Sequence, residues 1–517
     1  MVEDIDQEVE RIKDLIKELY LSDQMPWIVG YSGGKDSTTC VQLIWMALSE
    51  LPPEKRSKPV HVISTDTLVE NPIVSQWVGE SLKKMEQEAI KQKLPFFPHR
   101  LVPEVKNRFW VNLIGRGYPS PRPRFRWCTD RLKIATSTSF IQSLSETKGE
   151  AILVLGSRKA ESAARSRTLA KYSKSSRSHL SKNSNPKLSR VWVLTPIEDW
   201  ENDDVWEFIG TFENPWGVPS SDLLELYRGA TPDRECPVVV DTSTQSCGDS
   251  RFGCFVCTMV AQDKSMQAMI VNDSSKEWMK PILNFRDNFL VPKDTERKNR
   301  EFKRLGPNTF LLFRDQLVHG PYTQEYRARL LYELLKTQKE INIHGHDDFT
   351  RNLELISREE LNEIRRLWIE EKGEIEDLLP EIYSSAIGHD FAIDSQLTPS
   401  TLSGEELRLL KNTCKQWVTK EYVSDAPEKN EERIKESYEL TRNILAVSLK
   451  NNKLGKRSKQ LDAIGEILNR HAFIDEDEAT LFAKKYASNS GMLPDEFLEA
   501  SSQEDTPAIE NELMLTI

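Results

Sequence analysis

Ser32-Gly33-Gly34-Lys35-Asp36-Ser37 follows the apolar run Pro26-Trp27-Ile28-Val29-Gly30-Tyr31 and precedes Thr38 to Ser49, where Val41, Ile44, Trp45 and Leu48 recur at three- and four-residue spacing. The run before it is of strand type, and the spacing after it predicts a helix with one buried face. The six residues therefore join a strand to a helix. Gly33 and Gly34 can adopt backbone angles closed to other residues and leave the amides open to a ligand. Ser32, Ser37 and Thr38 add hydroxyls near the unpaired amides of the first helical turn, and Lys35 adds a mobile positive charge. The expected result is an anion cradle. It is not the commoner P-loop, which needs four residues between its first glycine and a Gly-Lys-Ser/Thr end.

Outward from this loop, Val60 to Thr65 reads as a second parallel strand ending in Asp66, which is a candidate for adenosine contact or for a helix cap. A helix over about Ile73 to Lys93 follows, then a strand over Phe97 to Val102. Ala151 to Gly156 is the clearest strand of the chain and runs into Ser157-Arg158-Lys159-Ala160-Glu161-Ser162, with Arg165 and Arg167 beyond. Polar residues just past such strands line the ligand crevice of an open parallel sheet. Val191 to Ile197 is the last sheet-like run, and Asp199 is the expected cap of the helix after it. The fold class is thus α/β, with an open, mostly parallel sheet.

The chain has 517 residues and a net charge of −11, with 38% hydrophobic and 29% charged side chains. No run approaches the length of an apolar membrane span, so no membrane association is expected. Met1 to Leu21 is acidic and amphipathic without a basic-then-apolar signal pattern, which makes the cytoplasm the default location. Between Arg100 and Arg190, however, twenty Lys or Arg face five Asp or Glu. A basic block inside an acidic protein suggests a focused surface for a polyanion. Within it, Arg116 to Lys133 intersperses arginines with Tyr118, Phe125 and Trp127, a mixture suited to phosphates and stacked bases. Cys128 lies at its end among cations that should favour a thiolate, with a buried structural thiol as the alternative. Thr168 to Arg190, rich in serine and lysine, reads as a mobile loop.

Four of the seven cysteines, Cys236, Cys247, Cys254 and Cys257, fall within 22 residues. Such a group predicts a metal centre, either zinc or a four-iron cluster. Beyond Met259 the chain reads as mostly helical, with capping boxes at Ser357/Glu360 and Ser403/Glu406. The expected organisation is an N-terminal helix (1–24), an α/β domain with basic loops (25–225), a cysteine-cluster and helical domain (226–340) and a helical C-terminal domain (341–517).

Ser32 to Ser37, Gly156-Ser157-Arg158 with Glu161, Ser162 and Arg165, and Pro196-Ile197-Glu198-Asp199-Trp200 with Asp203, Val205 and Trp206 together resemble phosphoadenylyl-sulfate reductases of the ATP-pyrophosphatase superfamily. Arg126 to Lys133 and Cys247 to Thr258 carry a more specific likeness, to the DndC-type family of bacterial DNA phosphorothioation systems. That resemblance implies an adenine-nucleotide α-hydrolase-like sheet with an iron-sulfur insertion, and ATP-dependent activation of the DNA backbone followed by sulfur incorporation. It implies ATP and Mg2+ at Ser32, Gly33, Gly34, Lys35, Asp36, Ser37, Asp66 and Gly156. Lys35, Asp36, Cys128, Arg158 and Arg165 are the implied catalytic residues, and Cys236, Cys247, Cys254 and Cys257 the implied ligands of a 4Fe-4S cluster. The implied partners are DNA, a cysteine desulfurase, an SMC-like ATPase and a small DNA-binding protein. Sulfonucleotide reduction, tRNA thiolation and a noncatalytic iron-sulfur DNA-binding scaffold are the alternatives. Reductases of sulfonucleotides carry a further cysteine near the C-terminus, and this chain has none after Cys414.

Overall fold

The computed structural model describes residues 4–122, 125–161, 179–183, 185–230, 253–292, 294–304, 310, 312–313, 316–392, 402–423, 427–451, 457–473 and 475–490. They fall into two compact units. One gathers the described residues of Met1–Phe109 and Pro121–Asn288, the other those of Trp110–Ser120 and Phe289–Thr506.

The first unit is built in chain order from α1 (Ile5–Ser22), β1 (Trp27–Gly30), α2 (Lys35–Ser49), β2 (Val60–Thr65), α3 (Pro72–Gln92), β3 (Phe96–Leu101), α4 (Ala135–Lys148), β4 (Ala151–Val154), β5 (Ser181–Lys182), β6 (Val191–Leu194), α5 (Asn202–Thr211) and α6 (Ser220–Gly229). The strands form one sheet in the order β3-β2-β1-β4-β6-β5. All neighbours are parallel except β5, which runs antiparallel to β6 with Ser181 opposite Val193. Trp27 lies opposite both Val60 and Ile152, so β1 is central. Strands buried on both faces read as continuous apolar runs, which is why β1 and β4 were legible without alternation. Ile28, Ile63, Ile141, Ala151, Leu153, Leu155, Leu188 and Val191 form one buried cluster between the sheet and α4. On α2, Trp45 stacks on Phe96 with ring centroids 4.5 Å apart and lies 5.8 Å from Trp216.

The expected helices and strands of the sheet are present, with three corrections. Asp199 does not cap α5: Glu201 does, in a capping box with Asp204, while Asp199 pairs with Lys159 at 2.6 Å. Part of the expected mobile loop, residues 168–178 and 184, lies outside the described residues, as does Arg165. Its described part carries β5 and a short turn over Pro186–Leu188, and it is anchored by Leu180 and Leu188, both buried. The prolines before Arg126 do end regular structure, but the chain turns helical immediately afterwards, over Trp127 and Cys128 and then through a π-helical segment, Thr129–Ile134.

The second unit is mainly helical, which agrees with the expected C-terminal region. Its helices include Gln324–His344, Arg358–Arg366, Leu378–Ile387, Gly404–Glu421 and Pro427–Asn451. Both expected capping boxes form, at Ser357/Glu360 and Ser403/Glu406. The buried segment Val111–Gly115 joins this unit, with Trp110 Nε1 donating to Leu355 O at 2.6 Å and Trp368 Nε1 to Ile114 O at 3.0 Å. Among the described residues, no helix is long and apolar enough to cross a membrane.

Leu153 is fully buried at the centre of β4, and truncation there leaves a cavity between sheet and helix. Leu153→Ala is expected to destabilise the first unit by about 2–5 kcal/mol. Ile90→Ala, at a side chain 74% exposed on α3, should stay within about 0.5 kcal/mol. Denaturant unfolding followed by tryptophan fluorescence distinguishes the two.

Candidate active site

The loop between β1 and α2 is shaped by its glycines. Gly33 has φ +76°, and a Cβ there would lie 2.5 Å from a methyl of Val78. Only glycine fits. Trp77 Nε1 holds the turn by donating to Gly33 O at 3.1 Å. Ser37 Oγ accepts from Ser32 N at 3.2 Å and donates to Gly34 O at 3.0 Å, which closes the loop on itself. No side chain caps the first turn of α2, whose N-terminal amides and dipole favour an anion.

Asp36 fixes this loop to the neighbouring strand. Its Oδ1 accepts from Arg158 Nε at 2.7 Å, and its Oδ2 lies 3.0 Å from Lys35 Nζ. Arg158 is buried and also donates to Trp200 O at 3.2 Å. Burial alone would raise the Asp36 carboxyl, but the charges of Lys35 and Arg158 outweigh it and hold it below the usual carboxylate range. Gly156, just after β4, lets the backbones meet: a Cβ on it would sit 2.8 Å from the Asp36 carbonyl carbon. Tyr227, on α6, accepts from Lys35 N at 3.2 Å, and burial followed by the Asp36 charge pushes its phenol up. Asp66 caps no helix. Its carboxylate takes Arg100 Nε at 3.0 Å and Nη2 at 2.7 Å and accepts from Leu68 N at 2.9 Å, while Asn71 caps α3.

Beside this loop, at the carboxyl end of β2, the structure gathers thiols. Residues 253–257 dock along the β2–α3 connection, with Asn71 N donating to Gly253 O at 3.2 Å and Phe255 N to Val69 O at 3.0 Å. Cys254 therefore lies opposite Glu70, with its Sγ 3.3 Å from Thr67 Oγ1. Cys257 N donates to Cys254 O at 2.9 Å in a tight turn. Fully buried Arg286 holds that turn, donating to Cys257 O at 3.0 Å, Val260 O at 2.5 Å and Ala261 O at 3.3 Å. Lys133, on the helical turn that carries Cys128, reaches to 3.8 Å from Glu70. Burial works to lower the Lys133 ammonium, but Glu70 and the thiols of Cys254, Cys128 and Cys257 prevail and raise it. Ser32 of the glycine loop, Ser64, Thr65, Glu70, Lys133 and Gly253 line a small cavity of about 40 Å3. Thr65 Oγ1 is buried there without a hydrogen-bond partner.

The expectation of a thiolate at Cys128 is corrected. Burial, followed by the neighbouring Cys257, pushes the Cys128 thiol up to about 11, and burial pushes Cys254 up to about 12 against the charge of Lys133. The iron-sulfur cluster and the magnesium ion are corrected as well. Cys236 and Cys247 lie outside the described residues, and among the described residues no group of three or more His, Cys, Asp or Glu is arranged to hold a metal ion. Cys128, Cys254 and Cys257 instead lie in the field of the Lys133 ammonium. In the cationic segment, Arg126 and Phe125 are exposed, whereas Trp127 is buried and stacks on Phe109 at 5.2 Å and Arg131 is tied to Asn107. Pro123 and Arg124 lie outside the described residues.

Tyr227 and Arg286 had no role on sequence grounds; Thr67 and Glu70 read only as polar residues past the second strand, and Lys133 only as part of the cationic segment Arg116 to Lys133. Lys133 stands five residues beyond Cys128, a spacing that meets on one side of a π-helical turn, and nothing in the sequence announces that turn. Tyr227 and Arg286 reach the site across long separations.

Residues 26–217 match the sequence profile of the phosphoadenosine phosphosulfate reductase domain. No curated protein matches the chain. Among solved structures, the FMN adenylyltransferase of Candida glabrata is 14% identical and covers 44% of this chain and 61% of its own, with a TM-score of 0.24. Its complex with FAD and inorganic pyrophosphate, also 14% identical, covers 48% and 72% with a TM-score of 0.26. The U34-tRNA thiolase NcsA from Methanococcus maripaludis, described with its [4Fe-4S] cluster, is 12% identical and covers 60% and 86% with a TM-score of 0.26. This chain spans about three fifths of the length of the first adenylyltransferase structures it matches. Residues 26–217 of this chain thus form a phosphoadenosine phosphosulfate reductase-like domain.

Proposed function

We propose that the chain is an enzyme that seats the phosphate groups of an adenine nucleotide on the loop Ser32 to Ser37 and moves sulfur at Cys128. The observation that carries this reading is one small cavity, past the carboxyl ends of the strands, lined both by Ser32 of the loop that leads into an uncapped helix and by Lys133, whose ammonium lies in the field of Cys254, Cys128 and Cys257. Lys35 and the loop amides receive the phosphate charge that develops as the nucleotide is cleaved. Lys133 provides the counter-charge when a buried thiol ionises.

The domain match over residues 26–217 favours a sulfonucleotide as substrate. In that reaction the Cys128 thiolate attacks the sulfonyl sulfur, an S–S bond forms, the S–O bond breaks and the adenosine nucleotide leaves. A second thiol, Cys257 being within electrostatic reach, then attacks Cys128 Sγ, expels sulfite and leaves a disulfide that an external dithiol reduces.

A second reading, DNA phosphorothioation, is favoured by exposed Arg126 and Phe125 next to Cys128. Here a backbone phosphate oxygen attacks the α-phosphorus of ATP and pyrophosphate leaves. The outer sulfur of a persulfide on Cys128, charged by a cysteine desulfurase, then attacks the activated phosphorus and expels AMP; a second thiol breaks the S–S bond at Cys128 Sγ, which frees the phosphorothioate and leaves a disulfide that an external dithiol reduces. An SMC-like ATPase and a small DNA-binding protein belong to this reading as partners.

The full chain, supplied with reductant, tests both readings when given adenylyl sulfate, its 3′-phosphorylated form, or ATP with DNA and a desulfurase. Sulfite with the adenosine nucleotide marks the first reaction, and pyrophosphate with phosphorothioate DNA the second. Cys128→Ser should abolish the sulfur product of either, and Lys35→Ala should slow nucleotide cleavage by about 100-fold. Release of ADP and phosphate from ATP, or sulfur products that survive Cys128→Ser, would sink the assignment.

Because the Cys128 thiol is raised, its alkylation by iodoacetamide should be slow near neutrality and rise about tenfold per pH unit towards pH 11. Lys133→Met should slow labelling further. Mass spectrometry of the labelled peptide gives the rates, and fast labelling independent of pH would contradict this account.

A further inference from the structure

The second unit contains a cavity of about 770 Å3, within the size range of small-molecule sites. One wall is the π-helical turn Leu367–Glu371, a conformation that recurs at functional positions. It ends at Lys372 and Gly373. Gly373 has φ +67°, and a Cβ there would lie 2.8 Å from Asn443 Oδ1 on the helix Pro427–Asn451, so glycine alone permits this approach. Ile369, Ile375, Ala446 and Ile467 give the cavity an apolar side.

Most of the charge around it is already committed. Arg327 pairs with Glu374, Arg442 with Glu376, Arg470 with Glu301, and Lys303 with Glu436. Lys372 and Glu439 line the cavity too, and neither side chain makes an ion pair or hydrogen bond with a described residue. Asn443 Oδ1 is buried with no hydrogen-bond partner, while its amide nitrogen lies 3.3 Å from His471 Nε2. Glu301 and Glu374 act on the Lys372 ammonium through their fields, and Lys372 is the leading positive charge on Glu301, but no described carboxylate forms a direct ion pair with it. A cation without a direct ion pair, a carboxyl without one and an orphaned acceptor around an apolar-walled cavity are the complement of an anion that also carries hydrogen-bond donors. Burial and then Arg327 push the Lys372 ammonium down to about 8, and burial followed by the carboxylates of Glu436 and Glu301 pushes Glu439 up to about 7.

We propose that this cavity binds a nucleoside monophosphate, with its phosphate at Lys372, its hydroxyl or amino donors at Glu439 and Asn443 Oδ1, and its base against Ile369, Ile375 and Ala446. The site lies wholly in the second unit and stands or falls independently of the chemistry assigned to Cys128.

The test is calorimetric titration of AMP into the full chain as wild type, Lys372→Met and Ala446→Trp, with Lys35→Ala to report any binding at the glycine loop. The wild type should show a component that Lys35→Ala leaves intact, that Lys372→Met weakens at least tenfold, and that Ala446→Trp removes by filling the cavity. In wild type that component should also weaken as pH rises through about 8, because the lysine is charged below that value and neutral above it. Circular dichroism checks that each variant is folded, and Lys372→Met carries the test alone if the tryptophan variant is not. An isotherm unchanged by Lys372→Met, or no AMP binding beyond what Lys35→Ala removes, overturns the proposal.

Discussion

The contact between Asp36 and Arg158 organises the catalytic unit. Asp36 belongs to the glycine loop and Arg158 to the segment leaving β4, so the ion pair at 2.7 Å joins the two strand ends that bound the crevice. The bare Cα of Gly156 allows that approach, and the arginine, out of water and also bonded to Trp200 O, has little freedom to leave it. A buried ion pair is weak evidence for stability, since its attraction is spent largely on desolvation. Its strength here lies in geometry. It fixes the loop so that the first-turn amides of α2 face outward, and it sets Lys35 beside the same carboxylate.

The thiol group next to that loop is governed by the balance of burial against charge. Around Cys128 and Cys254 burial prevails, and both thiols are raised despite the nearby ammonium. Glu70 follows the same rule: burial raises its carboxyl although Lys133 lies 3.8 Å away. The resting site therefore stores protonated sulfur beside a charged lysine. Such thiols react slowly near neutrality, a useful property for groups that would otherwise oxidise.

Much of the sheet was legible because parallel strands are apolar throughout and the glycine loop has a short, distinctive spelling. Val60 to Thr65 and the two C-terminal capping boxes rest on local rules, and the structure keeps them. The misreadings arose where a local rule had a competitor. Asp199 looks like a cap, but Glu201 with Asp204 completes the box and Asp199 is drawn to Lys159. The serine- and lysine-rich segment looked unanchored because Leu180 and Leu188 are sparse, yet each is buried. Cys128 looked activated because linear neighbours are visible in a sequence and desolvation is not. Tyr227 and Arg286 could not be read at all, and Lys133 only as one charge of a cationic segment, since their partners come together only through tertiary packing.

Among the described residues the sheet ends on one side at β3, whose outer edge has no neighbouring strand. Open edges of this kind invite pairing with another chain and, through it, aggregation. Here the edge strand contains Pro98, which lacks an amide donor, followed by His99 and Arg100. A foreign strand would find an interrupted ladder. The short strand at this end of the sheet is thus poorly suited to sheet extension.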